Sequence, residues 1–494
     1  MPDVAAGGTG PADRAARHRA EPVGKGARGV RAALAATCVL VAGALTAALL
    51  LVGPHGLLDG VPPGRAAASG PPSAAQAAPV ADTARVAALQ ELLDARSRAL
   101  LARDRPGWLA ATAPGLDARA DAYAERQGAV FDRLGAVPLQ SWSWEYSGRG
   151  PDLAPDRAVA LPEGSWVAEV VLSYRLDGVD AAPVRQTQHV TLVPREQGWA
   201  VATDDDAATA PQLWDLGPVA VVRSERALLV GTADEEVLRR YAPMAEAAAE
   251  RVDAVWGTAW PRTTVFLVPA TQAELARLLG RADESGLDQI AAVTTGELVG
   301  DQGATEGDHV VVNPAGFALL APLGQQVVLT HELTHVATRA SAGRAVPLWL
   351  SEGFADWVAY RGTDLPRSVV AAELLEQVRA SGPPAGLPSE ADFDPARTDV
   401  GPAYGGAWLA ADLLAQRRGP QALVDAYRRA SAPPPAAGTG AAGTRAAGTG
   451  AGGDADAALE AALQDVLGTD REALVQEWRA CLRDLAGEGR DAAG

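Results

Sequence analysis

Residues 325–339 read QQVVLTHELTHVATR, and the spacing of the two histidines in this stretch governs the reading of everything around it. His331 and His335 stand four residues apart. On a helix, positions i and i+4 share a face, so both imidazoles can reach one metal ion. Glu332 projects beside them and can take a proton from a water activated there. Val327, Val328 and Leu329 before the motif and Gly343 after it fit a helix with a stop. The chain has only six histidines, which sharpens the signal of a spaced pair.

Zinc takes a third protein ligand in such sites and keeps its fourth position for water. Seventeen residues beyond His335, the stretch VPLWLSEGFADWVAYRG (346–362) supplies Glu352. Pro347 suits a helix start and Gly362 a helix end. Asp356 falls four residues after Glu352, on the same helix face, where it can accept the remaining ring N–H of a liganding histidine. Trp349, Phe354 and Trp357 recur at helical spacing and read as core anchors.

HELTH followed by WLSEGFADW resembles the gluzincin zinc metallopeptidases of the peptidase-MA-like superfamily. The resemblance implies one zinc ion per chain held by His331, His335 and Glu352, with Glu332 as general base and Asp356 as a histidine's partner. It continues through GPAYGGAWLAADLLAQRRGPQALVDAYR (401–428) and LQDVLGTDREALVQEWRACLRDL (463–485). In the first of these, Tyr404 matches a helix-start tyrosine of the family and is implied to donate a hydrogen bond to an oxyanion. The resemblance covers roughly residues 210–494, less a low-complexity insertion (431–456) in which AAGT recurs three times. The activity it implies is hydrolysis of a peptide or protein substrate. The spacing of 17 residues to Glu352 is shorter than in some gluzincins, which leaves the subclass open. The alternative function is a catalytically inactive, zinc-containing binding or sensory protein. An intact Glu332 speaks against it, because a structural metal site has no need of a base.

Outward from the motif, 494 residues call for two folded units and connectors. A peptidase-like unit is expected over 208–494. It should hold one or two strands within Val219–Val230, a helix Ala233–Trp256, a strand Thr264–Val268 and a helix Gln272–Leu279. Strands Ile290–Thr294 and His309–Val312 follow, and the chain turns almost wholly helical after Leu320. His309 reads as an ordinary surface histidine. Over 81–207, Val86, Leu89, Leu92, Leu93, Leu100 and Leu101 keep helical spacing. The period then changes to two in Trp142, Trp144 and Tyr146 and again from Trp166 to Tyr174. Helices first and an antiparallel sheet after them resemble the NTF2-like cone fold, with a spacer or binding role expected rather than catalysis.

Residues 32–53 form 22 consecutive uncharged, mostly apolar positions, which as a helix would reach ~33 Å and span a bilayer. The basic tail 1–31 before this expected transmembrane helix orients the N-terminus to the cytoplasm. A Pro/Gly/Ala/Ser linker (54–80) follows, so the expected location is the cell membrane, single-pass, with the folded units extracytoplasmic. Cleavage of the segment as a signal peptide, and secretion, is the alternative. The expected fold class is therefore α+β: one membrane helix, an NTF2-like unit and a zincin-like unit. A net charge of −18 argues against a nucleic-acid partner. The only cysteines are Cys38 and Cys481, so the folded region has no internal disulfide and no cysteine-based zinc site. Oligomeric state is not legible in the sequence.

Overall fold

The computed structural model describes residues 78–491 apart from 197, 288–289, 296–297, 300–303, 306, 395–396, 398 and 434–450. The chain is α+β. In its first unit, α1 (Ala78–Leu101), α2 (Arg105–Ala110) and α3 (Ala118–Arg133) precede an antiparallel sheet. That sheet runs β1 (Leu139–Arg149), β2 (Trp166–Leu176), β3 (Val184–Pro194) and β4 (Trp199–Thr203), in the spatial order β1-β2-β3-β4. Side chains alternate across a strand, and β2 puts Trp166, Ala168, Val170, Leu172 and Tyr174 into one core. There they meet Leu89 and Leu93 of α1, Trp108 of α2 and Phe131 of α3. Helix α1 starts at Ala78, inside the expected linker.

The second unit carries β5 (Ala220–Arg223), β6 (Ala227–Gly231), α4 (Glu235–Trp256), β7 (Thr264–Val268) and β8 (Ala292–Thr294). A hairpin of β9 (Leu298–Val299) and β10 (Ala304–Thr305) leads to β11 (His309–Val312). The sheet order is β5-β6-β7-β11-β8, with β6, β7 and β11 parallel and β8 antiparallel at the edge. ALLVG, TVFLV and HVVV are nearly continuous apolar runs because parallel strands are covered on both faces. Leu229, Phe266, Val310 and Val312 face the helical side, whereas Leu228, Val230 and Val265 join the core of the first unit. The two units therefore share an apolar seam along the back of this sheet.

The helical half holds α5 (Pro322–Arg339), α6 (Leu348–Tyr360), α7 (Ala372–Ser381), α8 (Gly401–Arg418), α9 (Pro420–Ser431), α10 (Ala451–Leu467) and α11 (Arg471–Asp491). Helix α5 packs between α4 and α6, and α6 crosses α8. The crossing is close because Gly353 offers no side chain: a Cβ there would collide with the backbone carbonyl of Ala407. Trp349, Phe354 and Trp357 are buried in this core, with the Phe354 ring against Trp256, Trp357 and Tyr427. Burying a side chain of that size contributes about 2–3 kcal/mol. Helix α9 runs into the low-complexity stretch as far as Ser431, helix α10 starts at Ala451 rather than after residue 456, and residues 434–450 between them lie outside the described residues.

Two expectations are corrected. The expected architecture opened on a membrane-crossing helix. That segment, 32–53, lies outside the described residues, and among the described residues no helix is long and apolar enough to cross a membrane. The longest of them, α1, carries Asp82, Arg85, Glu91, Asp94, Arg96 and Arg98 along its length. His309 is buried rather than on the surface, with Nε2 3.0 Å from Asp180 Oδ1 of the first unit. Its partner is remote in the sequence, so no local pattern revealed the contact.

Candidate metal centre

Helix α5 is buried on every side from Val327 to Thr338, although half of that stretch is polar. A buried polar group without a partner costs roughly 1–3 kcal/mol, so the fate of each such atom is diagnostic. Thr330 and Thr334 donate back along the helix to the carbonyls of Gln326 and Thr330, both at 2.7 Å. The histidines and the glutamate turn instead toward α6 and β8.

His331 Nδ1 lies 2.8 Å from Asp356 Oδ1. The N–H donates to the carboxylate, which fixes the ring orientation that turns Nε2 toward His335 and Glu352. His335 Nδ1 sits 3.5 Å from the hydroxyl of Ser351. The two Nε2 atoms are then 3.1 Å apart, and Glu352 Oε2 stands 3.3 Å from one and 3.4 Å from the other. A tetrahedral ion with bonds of about 2.0–2.1 Å holds its ligands about 3.3 Å apart. The triangle of donor atoms fits that requirement on all three edges. His331, His335 and Glu352 form a buried group able to hold a metal ion.

Burial pulls the His331 imidazole down, but Asp356 and Glu352 outweigh it and carry the group well above its ordinary value. His335 lacks a carboxylate behind it, and burial holds it down at about 4. Burial opposes ionisation of Glu352 as well. The facing imidazoles of His335 and His331 override that and keep its carboxyl well below the usual range. A cation at the centre of the triangle would take over the role of the shared protons, since metal ligands bind deprotonated.

Glu332 is wholly buried beside this group. Its Oε2 accepts a 2.6 Å hydrogen bond from Thr294 on the edge strand β8, while Oε1 meets no partner. Burial pushes its carboxyl up to about 7, with His331 and Thr294 pulling the other way. A carboxylate with one oxygen held, one oxygen uncommitted and an affinity for protons near neutrality suits a proton carrier.

The structure thus brings together five of the six residues singled out from the sequence: the three candidate metal ligands His331, His335 and Glu352, with Glu332 and Asp356. Tyr404 is buried on α8, the helix that α6 crosses, with its ring edge-on to Phe393 at a centroid distance of 5.1 Å. Three further residues escaped the sequence reading. Thr294 anchors Glu332, Ser351 approaches His335, and the Tyr427 hydroxyl bonds Thr338 and Ser351, tying α9 to the helices that carry the ligands. Ser351 alone had a local signal, since it precedes Glu352 and falls on the same helix. No protein-family model matches the chain and no curated protein matches it, so the functional argument rests on the chemistry of these side chains.

Proposed function

We propose that the chain is a zinc-dependent peptidase related to the gluzincins, with zinc held by His331, His335 and Glu352. One observation carries the reading: a ligand triangle with edges of 3.1–3.4 Å lies beside a buried carboxylate that has an uncommitted oxygen. A purely structural centre needs the triangle and has no use for the carboxylate. Bound there, zinc would polarise the scissile carbonyl and lower the proton affinity of the attacking water.

In this reading Glu332 takes the proton from the attacking water on Oε1 and hands it to the leaving amine, while Thr294 holds the other oxygen in place. Asp356 keeps His331 in the tautomer that presents Nε2. The edge strand β8 supplies a place for substrate: among the described residues it pairs only with β11, and an extended peptide can add to an open sheet edge.

The near-complete burial of all three ligands favours a second reading, a closed metal centre without turnover. Profiling the purified chain against a diverse peptide library separates the two. The peptidase reading expects cleavage that a chelator abolishes and added zinc restores. Full zinc loading with no peptide cleaved supports the closed centre.

A further inference from the structure

The first unit contains a cavity of about 450 Å³, within the range of pockets that take small organic ligands. Its walls run from buried Trp108 and Tyr123 out to exposed Arg277 and Gly280, so it opens to solvent where the second unit meets the first. Trp142 and Trp144 of β1 complete an aromatic lining.

A guanidinium sits among these rings. Arg96 of α1 is 4% exposed, and its Cζ lies 4.1 Å from the ring centre of Trp108 and 5.0 Å from that of Trp144. Both of its hydrogen-bond partners are neutral: one terminal nitrogen donates to the Tyr123 hydroxyl at 2.9 Å and the other to the Gln127 side-chain oxygen. Its Nε is buried without an acceptor. The carboxylates along the same cavity are committed elsewhere. Asp204 and Asp205 pair with Arg126, and Asp215 closes a capping box with Gln212. A buried cation whose hydrogen-bond partners are all neutral is costly; Asp204 acts on it only through space, its own ion pair going to Arg126. An incoming carboxylate would meet the guanidinium fork with two parallel hydrogen bonds, and a flat apolar body would lie against the tryptophans.

We propose that this cavity is a binding site for a small aromatic carboxylate, with Arg96 as the anion-recognising residue. The site is separate from the metal centre and does not depend on the peptidase reading.

The test uses the whole purified chain and two matched sets of probes. Benzoate, 1-naphthoate and indole-3-acetate form one set, and their carboxamides the other. Calorimetry measures binding, and quenching of tryptophan fluorescence reports on the cavity. At least one carboxylate is expected to bind saturably at one per chain, at least ~10-fold more tightly than its amide. Binding should persist after chelation, because it does not use the metal. Arg96→Gln should bring that carboxylate to the level of its amide, and circular dichroism and zinc content check that the variant is folded. The wild-type comparison of acid with amide stands even where the variant fails to fold. Equal affinity for acid and amide, loss of binding on chelation, or no saturable binding of any carboxylate would overturn the proposal.

Discussion

His309 and His331 are both buried histidines in contact with an aspartate, at 3.0 and 2.8 Å, yet they do different things. Asp180 bonds His309 with one oxygen and takes the backbone N–H of Leu176 with the other at 2.6 Å, so its contacts close on the framework and pin the two units together. At His331 the aspartate holds only the back of the ring. The front nitrogen faces a second imidazole and a carboxylate, and a third acidic group, Glu332, waits alongside with an orphaned oxygen. A buried histidine–carboxylate pair is therefore a fastening by itself. It becomes a ligand when the far nitrogen converges with others on one point.

The widest gap between the two regions should appear in metal content. Replacing His331, His335 or Glu352 by alanine is expected to take the purified chain from about one zinc per molecule to almost none, whereas His309→Ala keeps its zinc. Elemental analysis of folded variants checks this, and full occupancy in Glu352→Ala would remove Glu352 from the ligand set. A smaller effect is expected one contact further out. Asp356→Asn should weaken zinc binding by ~10–100-fold in a competition titration, because it disturbs the orientation and basicity of His331. Asp180→Asn should leave zinc affinity unchanged and lower stability by about 1–3 kcal/mol through the junction alone.

A further difference is a pH dependence in the chelated protein. Folding raises the Glu332 carboxyl from an ordinary 4.5 to about 7, so the folded state holds this proton more tightly than the unfolded state. Stability is therefore lost as pH climbs from 4.5 toward 7, and the full cost stands above that. Glu332→Gln removes this dependence. The chelated variant should exceed the chelated parent by roughly 3 kcal/mol at pH 8 and match it below pH 4.5, as read from denaturant midpoints.

What the sequence revealed follows from how local the chemistry is. Two histidines four apart, and a glutamate and an aspartate four apart, are fixed by helix geometry, so the candidate ligand set and a carboxylate partner for one of its histidines could be read from two short stretches. The parallel strands were legible as unbroken apolar runs. Thr294 was not, because it reaches Glu332 from 38 residues away on a three-residue strand. Tyr427 was hidden for the same reason, and so was the pairing of His309 with Asp180 across 129 residues. Arg96 did leave a trace: it falls three residues after Leu93 and four before Leu100, on the apolar face of α1, where a charge is out of place. The start of α10 at Ala451 ran against a Gly-rich composition that reads as linker.

In the proposed mechanism Glu332 carries protons, and His331, His335 and Glu352 carry the metal. Glu332→Gln keeps the size of the side chain and an oxygen for the Thr294 hydroxyl while removing the basic oxygen. Zinc content and turnover should be measured together on whichever peptide the parent protein cleaves. The expected result is about one zinc per chain with turnover down by at least ~10²-fold. Parent-level turnover in this variant would contradict the claim.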